Sequence, residues 1–133
     1  MSEIKLDFEQ KNPQKKMNVK RIAWIARFFR LAVRDVKAWR TKNGIHVKIW
    51  IKEKLTPIMT VLIQVHMGDD YARSAYNTVR VLNLMANPEN YSQTAHELFN
   101  VLFYKKLVKG EVASEERYDA KLTKKLRTEL IEK

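Results

Sequence analysis

Residues 45–51 read Ile-His-Val-Lys-Ile-Trp-Ile, and this run decides the fold. Ile45, Val47, Ile49 and Ile51 fall on one side. His46, Lys48 and Trp50 fall on the other, and Lys52 continues that side. A strict period of two is a β-strand covered on one face only. The uncovered face offers an imidazole, an indole and two ammonium groups. An aromatic among lysines on an open sheet is the arrangement that stacks a nucleic-acid base and holds its phosphate. For Trp50 the competing reading is burial under the C-terminal segment.

The strand sits in an organising stretch, residues 42–80, KNGIHVKIWIKEKLTPIMTVLIQVHMGDDYARSAYNTVR. Thr56-Pro57 starts a helix, with Thr56 as N-cap and Pro57 at the first helical position. That helix runs to about His66 and ends near Gly68. Asp70 then caps a third helix over Tyr71–Met85, and Arg73 lies one turn on, in reach of Asp69 or Asp70. Gly68, the Asp70 cap and Arg73 together read as a conformational lock rather than a metal site.

On the N-terminal side, Ile4 to Glu9 alternates apolar and charged residues, as a half-buried strand does. Residues 11–16 contain Pro13 and read as a loop. Met17 to Trp39 fits one long amphipathic helix at about 100° per residue. Ile22, Ile25, Phe28, Phe29, Ala32, Val33, Val36 and Trp39 share its apolar face. Lys16, Lys20, Arg27, Arg30, Arg34 and Lys37 form a basic stripe, and Asn18 is the candidate N-cap. Asn43-Gly44 ends that unit with turn chemistry.

On the C-terminal side, residues 87–90 read as a loop, and residues 92–109 fit helix and strand periods equally. Gly110 breaks the chain. Ser114 to Glu132 reads as a charged helix whose narrow stripe of Tyr118, Leu122, Leu126 and Leu130 either docks on the domain or pairs with a second copy. The expected fold class is α+β. One domain covers residues 1–110, and a charged C-terminal helix covers residues 111–133.

Charge is unevenly placed. The chain carries 26 Lys+Arg against 15 Asp+Glu, a net +11. The first 54 residues hold 15 of the former and 5 of the latter; the remaining 79 hold 11 and 10. A polyanion therefore meets the first half. There is no run of roughly 18 apolar residues, the length a membrane-spanning helix needs. The first ten residues lack the pattern of a signal peptide. Zero cysteines exclude disulfides and thiolate metal sites and fit an intracellular protein. His46, His66 and His96 are too dispersed for a zinc site. No Gly-rich phosphate loop or Ser/His/Asp spacing occurs.

Three short patterns occur together: Gly44-Ile45-His46-Val47, then Gly68-Asp69-Asp70 with Arg73 and Arg80, then Val101-Leu102-Phe103 with Lys105. On these, residues 7–106 resemble small, mostly uncharacterised proteins of archaeal viruses and of phages of thermophiles. Their pattern is similar to a reduced core of the archaeo-eukaryotic primase fold, built on an RRM-like (ferredoxin-like) sheet. The resemblance implies such a sheet here, helices packed on one face, a helical C-terminal tail and a further strand at Phe99–Phe103. In that comparison Asp7 and Glu9 resemble the acidic pair of the primases, and His46 their strand-borne histidine. The chain departs where related proteins carry an Asp between the two arginines, for Asn77 stands there. It is also short for a catalytic domain.

The expectation is a non-enzymatic nucleic-acid-binding protein of a virus or mobile element, with no cofactor and no metal. Its contacts are Lys20, Arg27, Arg30, Arg34 and Lys37 on the first helix, and His46, Lys48, Trp50 and Lys52 on the sheet. Partners are DNA or RNA, no membrane, and a possible homodimer through the C-terminal helix. Three other roles stay open: a virion or nucleocapsid structural protein, a reduced primase-like nucleotidyltransferase, and a modulator that meets an acidic host protein.

Overall fold

Alternation builds the sheet. In the computed structural model, β1 (Ser2–Glu9) pairs antiparallel with β3 (Gly44–Ile51), and β3 pairs antiparallel with β2 (Val33–Arg40). Ile4, Ile49 and Val36 form one inward row, and Leu6, Val47 and Ala38 form the next. All six are fully buried. Helix α1 (Val19–Phe28) adds Ile22, Ile25 and Ala26 to this core. Helix α2 (Pro57–Met67) adds Ile63 and Met67. Burial of each large aliphatic side chain is worth about 1.5–3 kcal/mol.

Helix α3 (Tyr71–Ala86) packs on α2. After it come β4 (Lys106–Val108), β5 (Glu111–Ser114), β6 (Arg117–Tyr118) and α4 (Ala120–Arg127), which continues into a π-turn over Thr128–Glu132. The structure describes residues 2–9, 16–86, 106–108, 111–114 and 116–132. The protein is α+β, with a four-stranded antiparallel sheet ordered β1-β3-β2-β6 and a separate β4–β5 ladder.

The caps read from the sequence hold. Asn18 accepts from the Arg21 N–H, Thr56 from Met59 and Asp70 from Arg73. Gly68 closes α2 in the left-handed region at φ 97°. Gly44 is needed for a different reason: a Cβ there would collide with the Phe8 carbonyl across the β1–β3 ladder.

The single helix expected over Met17–Trp39 is instead α1, a turn and β2. The helix stops at Phe28, and Arg30 turns the chain at φ 55°. The Leu31 N–H closes on the Ala26 carbonyl. Beyond it, Val36 and Ala38 face the core while Asp35, Lys37 and Trp39 face outward. Asn43-Gly44 therefore closes a β-hairpin, in which Arg40 faces Ile45. Phe28 leaves the core face: it is 65% exposed and stacks on Trp24, with ring centroids 5.4 Å apart.

The C-terminal helix is also shorter than expected. Residues 117–118 are strand, Asp119 caps α4 through the Leu122 N–H, and Tyr118 is exposed. Leu126 is fully buried, and Leu122 and Leu130 pack on the same core. The leucine stripe that suggested pairing with a second copy thus lies against the chain's own sheet. The strand expected at Phe99–Phe103, the Gly110 break and the alternatives for residues 92–105 fall outside the described residues.

Side chains and neighbouring backbone satisfy polar groups along the edge strand β1 and along β2 beyond its two-residue pairing with β6. Along β1, the Lys5 N–H donates to Gln64 Oε1 at 2.9 Å and the Asp7 N–H to Asp69 Oδ1 at 2.7 Å. The Lys5 carbonyl accepts from Arg73 Nη1 at 2.9 Å, and the Asp7 carbonyl from the Asp70 N–H. Gly68-Asp69-Asp70 with Arg73 is the lock expected, and its target is the open edge of β1, which would otherwise invite pairing with another chain. Along β2, the Ala38 N–H donates to Thr123 Oγ1 and its carbonyl accepts from the Asp119 N–H.

Candidate nucleic-acid interface

The hydrogen-bond register arranges the outer face of the sheet in rows. Lys5 of β1 lies opposite Lys48 of β3, which lies opposite Lys37 of β2. Three ammonium groups therefore share one row across three strands. Like charges placed directly opposite each other destabilise a sheet. Burial holds Lys5 below its ordinary pKa; Glu3, 3.9 Å away, partly offsets this, while Lys48 and Arg73 press it further down.

An aromatic flanks this row on each side. Trp50 lies in the row of Glu3 and Asp35, and Trp39 lies opposite His46. The lysines lean diagonally onto these rings. Lys37 Nζ stands 5.8 Å from the Trp50 ring centroid, and Lys48 Nζ 5.4 Å from that of Trp39. Tyr118 of β6 meets Trp39 edge-on at 6.2 Å and extends the aromatic row by one ring. Trp50 is half-buried rather than covered over.

His46 departs from the expectation of an exposed contact: it is 4% exposed. Its Nδ1 lies 2.6 Å from Glu116 Oε1, and its Nε2 lies 3.4 Å from Asp7 Oδ1. Burial works against the cation, but the two carboxylates outweigh it and raise the imidazole above its usual value. The histidine thereby ties β1, β3 and the segment leading into β6. Each ring nitrogen faces its own carboxylate. Among the described residues no cluster of His, Cys, Asp and Glu is arranged to hold a metal ion. Glu9 pairs with Gly44, one row beyond His46.

The basic stripe expected on one helix is divided among five places, with Lys16 exposed ahead of α1. Lys20 and Arg27 are on α1, Arg30 is in the turn, Arg34 is at a bulge in β2, and Lys37 is on the sheet face. Lys52 lies just past β3 and is exposed. Of the expected contacts, the structure brings together Lys37, Lys48 and Trp50; Lys5 joins them because β1 lies beside β3, as the alternation of Ile4–Glu9 allows, and Trp39 and Tyr118 are added. The signal for Trp39 and Lys37 was the period of two over residues 35–39, masked by an equally good helical period. Among the described residues no helix is long and apolar enough to cross a membrane. Comparison with family models, with curated proteins and with solved structures finds no match to this chain.

Proposed function

We propose that the chain is a non-enzymatic protein of a virus or mobile element that binds single-stranded nucleic acid on the outer face of its sheet. The observation that carries this reading is the row Lys5–Lys48–Lys37 held between Trp50 and Trp39. A strand laid along the row would relieve the repulsion among the lysines with its phosphates. Its bases would stack on the two indoles, each contact worth about 1–3 kcal/mol. Tyr118 offers a third stacking ring.

The order β1-α1-β2-β3-α2, with β3 between β1 and β2, supports an RRM-like sheet. In that fold the face opposite the helices receives single-stranded RNA. The viral origin rests on the resemblance of the Gly44–Val47 and Gly68–Arg73 patterns described above. Lys20, Arg27, Arg30, Arg34 and Lys52 form the outlying positive field that steers a polyanion inward.

Fluorescence anisotropy with labelled single-stranded RNA, single-stranded DNA and duplex DNA over a salt series tests the proposal. The expected result is a preference for single strands, with a steep loss of affinity as salt rises. Equal binding of all three would leave only a generic basic surface, and absence of binding at low salt would discard the reading.

A further inference from the structure

A second basic feature lies at the end of the core layer, away from the lysine row. The start of α1, the β2–β3 turn and α4 surround a cavity of about 410 Å³. Lys20, Arg40 and Lys125 reach its lining from three different elements, with the carboxylate of Glu129 among the described lining residues; Arg40 Nε is already paired with Asp119 Oδ2 at 2.7 Å. Lys20 and Lys125 make no ion pair among the described residues. Val19, Ile45 and Leu122 supply an apolar wall.

We infer that this cavity is a binding site for a nucleoside phosphate. Its volume lies in the range of sites that enclose organic ligands, and it far exceeds what an inorganic anion fills. Two lysines without an ion pair among the described residues call for a phosphate, and the apolar wall accepts the flat face of a base. The Glu129 carboxylate can accept from a sugar hydroxyl but repels a second anion. The same chemistry is presented by a free mononucleotide and by the phosphorylated end of a strand. Apart from Lys20, which the proposed function places only in the outlying field, the inference stands on residues that the sheet reading does not use.

The test is a nitrogen-15 NMR titration of the full chain with adenosine monophosphate and, separately, with adenosine. The monophosphate is expected to shift the amides of residues 18–20 and 122–125 saturably, while adenosine leaves them in place. The double variant Lys20→Glu/Lys125→Glu, at two exposed positions, should melt like the parent and bind the monophosphate at least about tenfold more weakly. Trp50→Ala should bind it unchanged, which separates this site from the sheet. Equal shifts from adenosine, undiminished binding by the charge-reversed variant, or no saturable shift would overturn the inference. A pair of trinucleotides, one 5′-phosphorylated and one 5′-hydroxyl, then identifies the source. Shifts from the phosphorylated strand alone support a strand end, and shifts from the monophosphate without the strand support a free nucleotide.

Discussion

The two basic surfaces of this protein use their charges differently. On the helical side the arginines are engaged in the fold. Arg21 Nε donates to the His66 carbonyl at 2.7 Å, and Arg27 Nη2 donates to the Glu129 carbonyl at 3.1 Å. Each joins α1 to another element through a backbone oxygen. On the sheet side Lys37 and Lys48 have no carboxylate partner among the described residues and lean on indole rings instead. A guanidinium holds its donors in a rigid planar fork, whereas an ammonium is a compact point charge on a flexible stem, so the two arginines can fix backbone oxygens while the lysines keep their mobility. Composition counts these charges alike, whereas position separates those that join elements of the fold from those without a carboxylate partner among the described residues.

The largest effect should come from an arginine at the sheet edge. Arg73 Nη1 lies 2.6 Å from Asp69 Oδ2, whose carboxylate is fully buried. Arg73→Ala should cost about 3–5 kcal/mol, because it leaves a buried charge unpaired. Burial pushes Asp69 up to about 6, against the pull of Arg73 and the Asp7 N–H, so the cost should shrink in acid as the carboxyl takes a proton. Urea unfolding of the variant above and below that pH measures both parts. A loss of nucleic-acid affinity without loss of stability would break the division between structural arginines and available lysines.

Next come the indoles. Trp39→Ala and Trp50→Ala should each weaken single-strand binding by about 1–3 kcal/mol, read by anisotropy. Both rings are half-buried on the outer face, outside the main core, so thermal melts should show the fold retained. Arg27→Ala is smaller and opposite in kind. It should cost about 0.5–1.5 kcal/mol of stability through its lost hydrogen bond and leave affinity nearly unchanged.

Much of this was legible locally. The alternation of Ile45–Ile51 and Ile4–Glu9 specified two strands and their faces, and Asn18, Thr56, Gly68 and Asp70 marked helix ends by their own backbone chemistry. β2 was hidden because Ala32, Val33, Val36 and Trp39 satisfy helical spacing as well as Val36 and Ala38 satisfy a strand. Only the pairing of Val36 with Ile49 and of Ala38 with Val47 resolves the choice, and that information is not local. Helical spacing over this stretch places Lys37 off the sheet and Trp39 in the core, whereas the strand puts both on the outer face. The burial of His46 was illegible for a related reason: Glu116 stands 70 residues away and nothing near His46 announces it.

The smallest effect is a pH dependence. The folded imidazole of His46 is raised above its unfolded value. Its contribution to stability is therefore complete below about pH 6.5 and is lost as pH rises through the folded value. The melting temperature should decline over that window in the parent, and His46→Gln should remove that part of the decline. Equal slopes in both proteins would show that the imidazolium does not join β1, β3 and the Glu116 segment.

The most direct test of the central claim sets the two surfaces against each other. Affinity for a labelled single strand is measured across a salt series for the parent, for Lys37→Ala/Lys48→Ala and for Lys20→Ala/Arg27→Ala. The slope of log affinity against log salt should fall by about 1.4 for the sheet pair, two phosphate contacts at about 0.7 each, and stay near the parent value for the helix pair. A larger loss of slope in the helix pair, with the sheet pair unchanged, would place the polyanion on α1 and contradict the account.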